Sequence, residues 1–88
     1  MVVDLLTPEG LSDPEADRVF KALADTTRRD ILARAIEREQ SVSALARRYE
    51  MSLTAVQKHV AVLERAALVG KHRSGREQRV AALSLIHI

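Results

Sequence analysis

The sequence contains no cysteine and no tryptophan. That excludes a disulfide framework, a thiolate metal site and a cysteine nucleophile. One Phe and one Tyr make up the aromatics, 2% of the chain. A core must therefore be assembled from Ala, Leu, Val and Ile, which favours packed helices over a β-sandwich or barrel. Two prolines and three glycines leave neither a low-complexity tract nor a Gly-rich phosphate-cradling loop. No apolar run approaches the ~18 residues of a membrane-spanning helix. Met1–Thr7 carries Asp4 and lacks a basic segment ahead of a long apolar one, so the secretory signal pattern is missing and the expected compartment is the cytoplasm.

What is present is 47% hydrophobic and 30% charged residues in a chain of 88. This is globular composition, enough for one modest core and too short for a two-domain enzyme. The net charge of +2 conceals an asymmetry. Residues 1–40 hold nine acids and six bases, while residues 41–88 hold three acids and eight bases. A basic half points to a polyanionic partner or, equally, to a solvated face.

Residues 1–12 are expected to be a flexible leader, broken by Pro8 and Gly10, and residues 13–82 to form the domain. Asp13 can cap a helix with Pro14 at its first position, and Ala16, Val19, Phe20 and Leu23 then share one face. Asp25 reads as the cap of a second helix, Thr27–Arg38, with Ile31, Leu32, Ala35 and Ile36 on its stripe. Ser43 is the expected cap of a third, through Tyr49, with Leu45 and Ala46 inward and Arg47 and Arg48 outward. Ser52 caps a fourth, through about Ala66, with Val56, Val60, Leu63 and Ala67 inward. Leu68–Arg73 and Glu77–Leu83 flank Ser74-Gly75-Arg76, a break of hairpin length.

The third and fourth helices are joined only by Glu50-Met51-Ser52, so they must cross steeply, with Met51 as the apolar plug. The outer face of the fourth helix carries Thr54, Ala55, Gln57, Lys58, Ala61 and Arg65. Small residues allow close approach to a major groove, Gln57 suits a base edge, and Lys58 suits guanine or a phosphate. Lys71, Arg73, Arg76 and Arg79 crowd the hairpin with only Glu77 among them. An ordinary helical hairpin with a solubilising basic edge strand satisfies the same spacing, and a protein-interaction module is the alternative to a DNA binder.

Four segments resemble a known family, among them Ser41-Val42-Ser43-Ala44-Leu45-Ala46, which resembles its helix-three segment. Leu23-Ala24-Asp25-Thr26-Thr27-Arg28-Arg29-Asp30-Ile31-Leu32 resembles the LADPTRRxIL signature of arsenic-repressor (ArsR/SmtB) type winged helix-turn-helix regulators. Met51 to Leu63 resembles their MSxxxVSKHLxxL recognition helix, and Arg73-Ser74-Gly75-Arg76-Glu77 resembles their wing. The resemblance implies a mainly α fold with a small β wing and a dimeric DNA-binding transcription regulator, commonly a repressor, on a palindromic operator. It implies DNA contacts from Arg47, Ser52, Thr54, Ala55, Gln57, Lys58 and His59, and from Arg73 and Arg76 on the wing. It places Val19, Phe20 and Leu23 at a dimer interface.

The departures from the family pattern are specific. Ser41, Val42 and Ser43 stand where metal-sensing members place cysteines, so no thiolate sensor is expected, and no metal or cofactor. Glu50 and Ala67 stand where glycines usually end helices; if both keep φ > 0, each costs about 1 kcal/mol. His59 lies inside the KHL motif, as a packing or phosphate-contacting residue, while His72 and His87 have no partner at ligand spacing. No catalytic constellation is present. Residues 83–88 do not continue the family pattern and match a translated sequencing adapter, so a non-native tail replacing a C-terminal helix is expected. On that expectation the chain is monomeric or weakly dimeric.

Overall fold

The computed structural model describes residues 13–83; the expected leader, and the expected tail beyond Leu83 with His87, lie outside them. Its elements are α1 (Asp13–Leu23), α2 (Thr26–Glu37), β1 (Gln40–Ser41), α3 (Val42–Tyr49), α4 (Leu53–Arg65), β2 (Val69–Ser74) and β3 (Glu77–Ala82). This is the winged helix-turn-helix architecture, mainly helical with a small sheet.

Helix starts follow local side-chain chemistry. The Asp25 carboxylate accepts the Arg28 N–H at 2.9 Å and opens α2. The Ser52 hydroxyl accepts the Ala55 N–H at 3.1 Å and opens α4. Each satisfies a donor that the first helical turn leaves without a partner. For α3 the cap is Ser41, which accepts from Ala44 at 3.2 Å, and not Ser43. Starting the helix at Val42 buries that side chain almost completely, and Ser41 already has the extended backbone of a cap because it belongs to β1.

Two helices end without glycine. Glu50 has φ 54° and Ala67 φ 61°. At each place a Schellman pair closes the helix: Met51 N–H donates to Ala46 and Glu50 N–H to Arg47, then Leu68 N–H donates to Leu63 and Ala67 N–H to Glu64. The conditional expectation of left-handed strain at both residues therefore holds. The turn at Ala67 also corrects the inner stripe of α4. Ala66 is buried and Ala67 exposed, because the chain has left the helix before the stripe returns.

The core unites Ile31 from α2, Val42 and Leu45 from α3, Val56, Val60 and Leu63 from α4, and Val69 and Val80 from the sheet. The apolar stripes of α1 and α2 are narrower than expected. Phe20 is 55% exposed and Ile36 66% exposed, and Ala22 takes the buried place on α1.

The sheet has the order β1-β3-β2, both pairs antiparallel. Gln40 pairs with Val80 and Ser41 with Arg79, while the hairpin runs from Val69–Ala82 to Ser74–Glu77. Ser74 is in the strand, so the turn is Gly75-Arg76 alone. Gly75 has φ 64°, the left-handed value that a primed two-residue turn needs. The two-residue β1 anchors the wing to the start of α3. Leu83 continues the hairpin, its N–H donating to Leu68 at 3.0 Å.

Candidate nucleic-acid interface

Two polar clusters add to the core packing that positions α2, α3 and α4. Asp30 of α2 accepts from the Tyr49 hydroxyl of α3 and from Arg34 Nε at 2.9 Å. Its carboxyl is held below its ordinary range, first by the Tyr49 hydrogen bond and then by Arg34. Burial, and then the bond to Asp30, pushes the Tyr49 hydroxyl up to about 12. The second cluster centres on Arg28. Its guanidinium donates to the Ala22 carbonyl at 2.9 Å and the Lys21 carbonyl at 2.8 Å, and lies 3.3 Å from His59 Nδ1. His59 Nδ1 also stands 4.0 Å from Asp25. This ties the end of α1 and the start of α2 to α4.

On α4 the structure separates the residues that the sequence suggested for DNA contact. Ser52, Thr54, Gln57 and Lys58 are exposed and Ala55 is half-buried. The Ser52 hydroxyl accepts inward as a cap and keeps its own proton to donate outward. His59 departs from this set. Its side chain is 19% exposed and turned toward Asp25 and Arg28, which is the packing alternative. Leu53, absent from the expected contacts, is 46% exposed at the first position of the helix. Periodicity sets it beside the inner stripe, so its exposure had no signal in the sequence. Arg47 is exposed on α3.

The wing is less uniformly basic than its composition. Arg79 donates to Glu39 at 2.6 Å and to Glu77. His72 is hydrogen-bonded to Glu39, and Lys71 pairs with Glu64 of α4 at 3.4 Å. The hydrogen bond to Glu39 raises His72 above its ordinary value, and Glu39 is lowered in return. Of the hairpin's described cations, only Arg73 and Arg76, at the tip, are exposed without a carboxylate partner. The two pairings on Glu39 join residues 33 and 40 positions apart, which charge counting along the chain does not reveal.

Residues 11–70 match the family described as "Helix-turn-helix domain". The chain is 42% identical over 67 residues to the uncharacterized HTH-type transcriptional regulator YuzN of Bacillus subtilis, covering 68% of this chain and 73% of that protein. The crystal structure of an ArsR family transcriptional regulator superposes with a TM-score of 0.75 at 33% identity, covering 82% of this chain and 74% of that one. The chain belongs to the ArsR family. A second solved structure, the homodimeric winged helix-turn-helix DNA-binding domain Mb0332 of Mycobacterium bovis, is 31% identical with a TM-score of 0.74, over 85% of this chain and 75% of that domain.

ArsR proteins are DNA-binding transcriptional regulators and not enzymes. In this ArsR chain the segment Ser41-Val42-Ser43 serves structure: a cap, a buried core residue and an exposed hydroxyl. No helix among the described residues is long and apolar enough to cross a membrane.

Proposed function

We propose that this protein is a sequence-specific repressor that binds a palindromic operator as a homodimer. In this reading the segment Ser52–Ala66 enters the major groove, with Thr54, Ala55, Gln57 and Lys58 toward the bases. Leu53 adds an apolar contact of the kind a thymine methyl accepts. Arg47 and Ser52 bind phosphate, and the wing, Leu68–Leu83, lays Arg73 and Arg76 on the backbone or in the minor groove.

The observation that carries the reading is the distribution of uncommitted charge. Arg47, Lys58, Arg73 and Arg76 are all exposed and lack a carboxylate partner among the described residues. The other hairpin cations are neutralised by Glu39, Glu64 and Glu77. Cations left free on the helix-turn-helix and on the wing tip are what a phosphate backbone requires.

The dimer reading rests on α1, where Phe20 is 55% exposed and Val19 and Leu23 are half-buried. A symmetric pair places two recognition helices about 34–36 Å apart, one turn of DNA.

Selection of bound sites from random duplexes tests the proposal. A palindromic consensus with half-sites one helical turn apart is expected, and equal retention of all sequences overturns specific recognition. A reporter carrying the selected site is expected to fall when the protein is expressed; a rise overturns repression.

A further inference from the structure

A cavity of about 540 Å³ lies between α1, the start of α2 and the C-terminal half of α4, away from the turn that leads into the recognition helix. Its walls are Arg18, Lys21, Ala24, Arg28, Val62 and Arg65. Four of the six are cations and none is an acid. Like charges gathered at one concavity repel one another unless an anion joins them.

The four cations are not equally engaged. Lys21 is paired along its own helix with Asp17 at 3.3 Å. Arg28 directs hydrogen bonds to the carbonyls that close α1. Arg18 and Arg65 are exposed and have no carboxylate partner among the described residues. Guanidinium groups on facing helices suit the planar oxygens of a carboxylate or the oxygens of a phosphate. Between them Ala24 and Val62 supply an apolar floor. The volume falls in the range of small-molecule sites, which combine an apolar lining with a few polar groups.

We propose that this cavity binds a small organic anion, a carboxylate or phosphate carried on an apolar body, with Arg18 and Arg65 as its principal clamps. The site goes beyond DNA recognition and is also connected to it. Arg28 forms the cavity wall and reaches His59 at 3.3 Å. Arg65 stands two turns beyond Lys58 on the outer stripe of α4. An anion that draws on Arg28 and Arg65 therefore acts on the recognition helix itself, and linkage makes the effect mutual.

The test uses the full 88-residue chain with phenyl phosphate and hexanoate as probes and phenol as the uncharged control. Titration calorimetry and amide NMR read binding without any DNA, so failure of the operator reading leaves this result untouched. Saturable binding of at least one anionic probe is expected, with shifts centred on Ala24, Arg28, His59 and Val62, and none with phenol. The double variant Arg18→Ala, Arg65→Ala alters exposed residues only. With an unchanged circular dichroism spectrum it is expected to bind about tenfold or more weakly.

Several results overturn the proposal. They are absence of saturation by both anions, equal affinity in the double variant, or shifts confined to Lys58 and the wing. If no probe binds and the double variant instead lowers the salt dependence of duplex binding, the cluster is a DNA backbone contact. If no probe binds and the double variant instead changes the sedimentation coefficient, it is a subunit contact. Either outcome also overturns the small-anion site.

Discussion

Gln57 offers the amide geometry that pairs with adenine in a major groove, and it is exposed on α4 beside Lys58. Gln57→Ala is expected to cost about 1–3 kcal/mol on the selected site and to relax one base position, measured by titrating matched and singly altered duplexes. Equal weakening on matched and random duplexes would assign the side chain to the backbone. At the same scale, Glu50 and Ala67 hold left-handed backbone that glycine adopts without a Cβ clash. Glu50→Gly and Ala67→Gly are each expected to stabilise the fold by about 1 kcal/mol in urea denaturation. Both positions were legible in the sequence, because a helix must end there and the residue that usually ends it is absent. The inward turn of His59 was not legible. It depends on Arg28, 31 positions earlier, and nothing local to the helix distinguishes an inward from an outward histidine at its edge.

At the scale of elements, the wing is a ribbon with a fastened base and a free tip. Glu39, between α2 and β1, receives His72 from β2 and Arg79 from β3. The His72 value is raised above its ordinary 6.5, so the stabilisation from this pair is complete below about pH 6.5 and fades as pH rises through the raised value. Glu39 is depressed below 4.5, so its contribution is complete above that pH and fades as pH falls through the depressed value. The base is therefore fastened best between those two values. In a proton NMR titration the imidazole of His72 is expected to titrate above 6.5, and Glu39→Gln to return it to the ordinary value. A midpoint unmoved by Glu39→Gln would mean that the pair does not form in solution. The tip behaves differently. Arg76→Ala is expected to reduce the slope of log affinity against log salt by about 1 for each phosphate that Arg76 neutralises, with little change in base preference. The hairpin and the four helices were readable from periodicity and turn residues. β1 was not, since two residues cannot display an alternating pattern, and the cap of α3 was misplaced for the same reason: Ser41 is recognisable as a cap only once it is known to be a strand end.

At the scale of the whole molecule, α1 presents more apolar surface than the core accepts. Phe20 is more than half exposed, although its spacing with Ala16, Val19 and Leu23 suggested an inward face. Spacing defines a stripe but not how much of it the small neighbouring helices can cover. Phe20→Glu is expected to lower the weight-average mass in analytical ultracentrifugation at tens of micromolar, without loss of helix content. Unchanged sedimentation would remove α1 from the interface. The sheet order β1-β3-β2 also bears on how the chain is made. The central strand follows both strands that it joins, so as the polypeptide leaves the ribosome the helices can form from nearby contacts while the sheet waits for Val80. Until β3 arrives, Gln40–Ser41 and Val69–Ser74 are two open edges, and such edges recruit other strands. Synthesis arrested between Gly75 and Val80 would therefore release a chain with its helices in place and its sheet unsealed, the form of this protein most prone to self-association.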